Sequence, residues 1–115
     1  MIWLQELYWG EKARAKGKRL VRAAEGGRKT KNDACWLITL SVYPQGQLDL
    51  FSSSDLSSRL FDSREIVVLG VAKDKTEGLS LLEIMTADCL AEGNGLGLKA
   101  YFALKATTDW RGVKV

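Results

Sequence analysis

Glu65 to Leu82 reads Glu-Ile-Val-Val-Leu-Gly-Val-Ala-Lys-Asp-Lys-Thr-Glu-Gly-Leu-Ser-Leu-Leu. The run from Glu65 to Val71 is apolar and β-branched, which predicts a strand covered on both faces. Asp74 and Glu77 stand three apart, like a capping box with Asp in the Ser/Thr role. A helix is therefore expected from about Lys75 to Glu92, ended by Gly93-Asn94-Gly95. Its buried stripe is expected to be Leu79, Leu82, Met85, Cys89 and Leu90, with Ile84 projecting to the opposite side. A buried strand running straight into a long helix defines the class as α/β.

Working outward, Ala34 to Val42 is a second nearly continuous apolar run and predicts a central strand. Tyr43-Pro44-Gln45-Gly46 suits a type I turn, and Gln47 to Phe51 predicts the returning strand of a hairpin. Ser52 to Ser54 are N-cap candidates for a short helix carrying Leu56, Leu60 and Phe61. With a helix between the two apolar runs, residues 34–42 and 65–71 are expected to be adjacent and parallel, joined by a right-handed crossover. Lys99 to Leu104 is expected to be one more short strand. The expected architecture is a small α/β structure of two or three layers, with a mixed, mostly parallel sheet, a β-hairpin and flanking helices. Residues 1–106 form its single domain and 107–115 a C-terminal tail. At 115 residues the chain has room for one core.

Glu11 to Glu25 reads as an amphipathic helix. At about 100° per residue, Ala13, Gly17, Leu20, Val21 and Ala24 share one narrow arc, and every Lys and Arg of the segment lies outside it. Between Glu11 and Asp33 nine basic residues face three acids, a local charge of +6 within a chain whose net charge is +3. Residues 34–115 carry eight basic and ten acidic residues, so a basic segment sits on a slightly acidic body. Arg14, Lys18 and Arg22 form its tightest basic ridge, within about 80° of one another on a continuous helix.

Histidine is absent. Ser-His-Asp and Cys-His catalysis in their usual forms are excluded, as are His-containing metal sites. Cys35 and Cys89 are far apart and form no C-x-x-C motif, so both are expected to be reduced, buried and metal-free. Asp49, Asp55 and Asp62 lack the compact arrangement of a carboxylate metal site. Neither a cofactor nor a metal is expected. The first nine residues carry Glu6 and lack a basic start, which argues against a signal peptide. No apolar run approaches the roughly 18 residues that span a bilayer. A cytoplasmic location without membrane attachment is expected.

Several segments together resemble a group of small uncharacterised bacterial α/β proteins. They are Leu7-Tyr8-Trp9-Gly10-Glu11 before the basic helix, Trp36-Leu37-Ile38-Thr39-Leu40, Gln47-Leu48-Asp49-Leu50, Val67-Val68-Leu69-Gly70-Val71-Ala72-Lys73, Glu77-Gly78-Leu79-Ser80-Leu81-Leu82 and the aromatic pair Tyr101-Phe102. Ser52, Ser53 and Asp74 depart from the group's pattern. The resemblance implies the α/β fold and no activity.

Three functional readings follow. The first is a non-catalytic protein-interaction module with an unknown protein partner or a second copy of itself. Trp3, Trp9 and Ile84 are its candidate surface, although Trp3 and Trp9 would equally cover a thin core. The second is a nucleic-acid-binding module using Arg14, Lys18 and Arg22. The third is an enzyme of phosphate or anion chemistry at the 70–76 loop. There the amino end of the long helix would hold an anion with Lys73 and Lys75, against the competing claim of Asp74 on the same N–H groups.

Overall fold

Strand propensity and chain reversal account for most of the architecture. In the structure, a computed structural model that describes residues 1–26, 33–57 and 66–115, one five-stranded sheet has the order β3-β2-β4-β1-β5. Its strands are β1 (Ile2–Trp9), β2 (Trp36–Leu40), β3 (Leu48–Ser52), β4 (Val67–Ala72) and β5 (Thr107–Thr108). The helices are α1 (Glu11–Lys16), α2 (Lys18–Gly26), α3 (Lys75–Glu92) and α4 (Leu98–Ala103). The α/β class, the hairpin, β4 and α3 match the expectations. The short helix expected after Ser54 is a 3-10 turn over Ser53–Ser57. Leu60, Phe61, Asp62 and Glu65 lie outside the described residues, as do Gly27, Arg28, Lys29 and Lys31.

The sheet is mixed but mostly antiparallel. β2 runs antiparallel to β3 and to β4, and β5 antiparallel to β1. The parallel neighbour of β4 is β1, with Ile2 beside Val67 and Trp9 beside Val71. The expected parallel pairing of residues 34–42 with 65–71 is therefore corrected. The hairpin at Tyr43–Gly46, closed by Gly46 N–H donating to Tyr43 C=O at 3.1 Å, reverses the chain. β4 thus runs parallel to β3 and opposite to β2. β1 supplies the parallel partner from the far end of the sequence.

Helices cover both sheet faces. Trp3, Trp9, Val71 and Leu37 share one side by register, and the Trp3 indole N–H donates to Glu25 of α2 at 2.8 Å. Tyr8, Gly70, Ile38 and Leu50 share the other, where Tyr8 donates to Asp88 of α3. The core between the layers includes Trp3, Leu20, Val21, Leu37, Ile38, Leu69, Met85 and Phe102.

Three further expectations change. The helix over residues 11–25 breaks at Gly17, whose φ of 58° lies where side-chain-bearing residues are strained. Lys99 to Ala103 belongs to α4 and is not a strand: Gly97 is its N-cap, Leu104 its C-cap, and Tyr101 N–H donates to Gly97 C=O at 2.9 Å, the bond of a helical turn. Residues 107–115 are not a tail. Thr107 and Thr108 pair with Leu4 and Trp3, Val113 is buried, and Lys114 N–H donates to Gln5 C=O at 2.9 Å. Among the described residues no helix is long and apolar enough to cross a membrane.

Candidate functional site

At the carboxyl ends of the parallel strands β1 and β4, two helices begin side by side. Open α/β sheets commonly bind ligands at such places. Here the chain fills the position itself. Glu77 accepts hydrogen bonds from Lys73 N–H at 2.9 Å, Lys12 N–H at 2.9 Å and Ala13 N–H at 3.2 Å. One carboxylate from α3 thereby caps the amino end of α1, whose own N-cap residue, Gly10, has no side chain to do so. A Cβ on Gly10 would collide with that carboxylate, so a side chain there would displace the cap.

Asp74 accepts Glu77 N–H at 2.8 Å, as in the expected capping box, and takes Lys12 Nζ at 3.3 Å. The hydrogen bond from Glu77 N–H, helped by Lys12, holds the Asp74 carboxyl below its ordinary range. Lys73 turns its ammonium to Ala34 C=O at 2.8 Å, and Lys75 is exposed. Lys73 N–H is thus engaged by Glu77 and Glu77 N–H by Asp74, and the two carboxylates stand where an anion would approach.

The expected basic ridge is divided. The break at Gly17 puts Arg14 on α1, where it lines a depression of about 700 Å³ with Trp9, Lys12, Glu77 and Ile84. Lys18 and Arg22 on α2 line a different depression, of about 790 Å³, with Arg19 and Trp110. The structure therefore joins two of the three residues and separates the third.

Trp3 and Trp9 are core residues. Trp3 is 0% exposed, and the buried Trp9 donates its indole N–H to Lys114 C=O at 3.1 Å. Neither offers a surface to a partner. Ile84 is 52% exposed, and two neighbours expected to be buried join it on the outside of α3: Leu79 at 50% and Leu90 at 83%. The side of α3 that packs on the sheet carries Gly78, Leu81, Met85 and Cys89. Gly78 marks the closest approach of α3 to the sheet, where a Cβ would come within 2.8 Å of Leu50 Cδ1. Since apolar residues surround α3, periodicity alone could not choose the buried side; the small residue at the close approach was the usable signal.

A third depression, about 530 Å³, lies among Tyr8, Asp88, Phe102 and Lys105. Burial, and secondarily the hydrogen bond to Asp88, push the Tyr8 phenol up from its ordinary value, so it remains a proton donor to Asp88. Lys105 Nζ sits 4.4 Å over the Tyr101 ring, and Tyr101 donates to Glu92 at 2.9 Å. These interactions link α3, α4 and β1. They were not legible in the sequence, because nothing in the spacing of residues 8, 88 and 101 joins them.

Cys35 and Cys89 are both free and buried. Among the described residues, no three metal-ligating side chains come together. Comparison of the chain with protein-family models, curated proteins and solved structures finds no match.

Proposed function

We propose that the protein is a non-catalytic interaction module of the cytoplasm that pairs with a second copy of itself through the outer side of α3. The observation carrying this reading is the exposure of Leu79, Ile84 and Leu90 on a helix whose opposite side is already buried against the sheet. Three large apolar side chains stand exposed there among Thr76, Ser80 and Glu83, and such apolar surface commonly marks a place that a partner covers. Leu79 and Leu90 lie eleven residues apart and within about 20° of one line along the helix. Ile84 is set well round from that line and borders the depression next to Arg14.

A second copy suits this surface because the line is self-complementary. A two-fold axis near the middle of α3 makes the helices antiparallel and sets Leu79 of each copy against Leu90 of the other. The exposed Lys75 at each amino end then lies toward the carboxyl end of the partner helix, where the dipole favours a cation. Free buried thiols suit a reducing compartment. Anion chemistry at residues 70–76 is disfavoured, because the Asp74 and Glu77 carboxylates sit at the amino end of α3, take Glu77 N–H and Lys73 N–H, and repel a second negative charge.

Sedimentation velocity from low-micromolar to sub-millimolar protein tests the reading. A concentration-dependent dimer is expected, lost in Leu79→Glu and Leu90→Glu. Monomer throughout that range overturns the proposal, as does a dimer indifferent to both changes. Both side chains are at least half exposed, so thermal unfolding of the dilute variants is expected to match that of the unmodified protein.

A further inference from the structure

On the sheet face opposite α3, the fold brings the end of the chain to the basic helix. Trp110 and α2 line one depression, which also contains Lys18, Arg19 and Arg22. The C-terminal segment is anchored there. Lys18 Nζ donates to Arg111 C=O at 2.9 Å, Asp109 accepts Arg111 N–H at 2.9 Å, and Val113 is buried just beyond.

The charges around this depression are unequally satisfied. Arg19 pairs with Asp33 at 2.8 Å. Glu25 accepts the Trp3 indole N–H at 2.8 Å and lies 3.7 Å from the amino terminus. Both carboxylates at the depression therefore already have partners. Lys18 and Arg22 have no carboxylate partner among the described residues. They stand four apart on α2, about 6 Å along the helix and on one side of it. Beside them the Trp110 indole is part-exposed, and the guanidinium over its ring, that of Arg111 at 5.8 Å, belongs to a side chain that is 74% exposed and able to yield.

A flat aromatic face next to cations that no described carboxylate neutralises matches one ligand chemistry: a base that stacks and phosphates that follow it. A duplex hides its base faces, whereas a single strand presents them. We propose that this depression binds single-stranded nucleic acid, with a base stacked on Trp110 and the flanking phosphates on Lys18 and Arg22. Arg14 takes no part, because Gly17 turns it into a different depression. The site is separate from the outer side of α3, so it stands or falls independently of self-association.

The test is fluorescence anisotropy with a labelled oligothymidylate, and with a hairpin duplex of equal length, at low and near-physiological salt. The single strand is expected to bind more tightly than the duplex. Trp110→Ala should weaken single-strand binding by at least about fivefold, and Trp110→Phe should restore most of it. The double change Lys18→Ala, Arg22→Ala should make the slope of log affinity against log salt shallower by about 1.4, at roughly 0.7 for each phosphate no longer neutralised. Arg14→Ala should leave both quantities unchanged. Absence of binding at low salt overturns the proposal. So do tighter binding to the duplex, a loss with Arg14→Ala equal to that with the double change, and full competition by thymidine monophosphate at the concentration of the strand. If Trp110→Ala shows unchanged circular dichroism and unchanged binding, stacking on Trp110 is refuted.

Discussion

α2 and α3 lie on opposite faces of one sheet, and each buries one side against it. The side left over on α2 carries Lys18, Arg19 and Arg22. On α3 it carries Leu79 and Leu90, with Glu83 between them. α2 is divided sharply into Leu20, Val21 and Ala24 inside and charge outside, the pattern of a helix whose outer side meets water. α3 has no such division: Leu79, Ile84 and Leu90 stand exposed among polar residues on its outer side. One sheet thus supports a helix that suits charged ligands and another that suits an apolar partner.

The most severe test of this comparison sets Trp3→Ala against Leu90→Ala. Trp3 is fully buried beneath α2 and should lose about 3–5 kcal/mol of stability, the usual result of emptying a large aromatic site. Leu90 should change stability by less than about 0.5 kcal/mol in dilute protein, because in the monomer it touches little. Urea denaturation of both variants measures the difference. A large loss for Leu90 in dilute protein would mean that the outer side of α3 is packed within the monomer, and the contrast between the helices would collapse.

A smaller effect is expected where the two helical layers are tied together. Glu77 accepts three backbone N–H groups, two of them at the start of α1. Glu77→Ala should cost about 2 kcal/mol, given about 0.5–2 kcal/mol for losing a single cap. Gly10→Ala should also destabilise, because its Cβ would enter the space of that carboxylate. The two changes act on one junction, so the double variant should lose clearly less than the sum of the single losses. Additive losses in a denaturation cycle would show that α1 and α3 are capped independently.

The same contrast explains how far the sequence could be read. Segments whose pattern is local were legible: the β-branched runs of β2 and β4, the turn at Pro44, the Asp74 cap and the inner side of α2. Strand direction was not, because the reversal at the hairpin had to be carried through the crossover before β4 could be oriented. β1 escaped notice because Gln5 and Glu6 interrupt its apolar run. Of the candidate site residues, Lys18 and Arg22 were legible as a pair on α2. Trp110 was not, because only the pairing of Thr107 and Thr108 with β1 brings the end of the chain back to α2. Leu79 and Leu90 were assigned to the wrong side of α3 because its apolar residues surround it.

The smallest expected effect probes the interior on the α2 side of the sheet through Cys35, which has the strand parity of Leu37. Its side chain is 1% exposed, and burial pushes the thiol up from its ordinary 9.0, partly offset by Ser53 and Lys73. As pH rises past the ordinary thiol value, the unfolded chain loses this proton while the folded chain keeps it. The unfolded state then binds fewer protons, so stability falls with increasing pH; the contribution is fully present below that value. The measurement stays below pH 10.0, the ordinary value of a tyrosine, because the raised Tyr8 phenol adds a decline of the same sign beyond it. Cys35→Ala should flatten the stability curve across this window, even if the variant is less stable at neutral pH. An unaltered slope in Cys35→Ala would mean that the thiol ionises as readily in the folded protein as in the unfolded chain. The interior beneath α2 would then be open to water, and the charged exterior of α2 would no longer stand over a dry core.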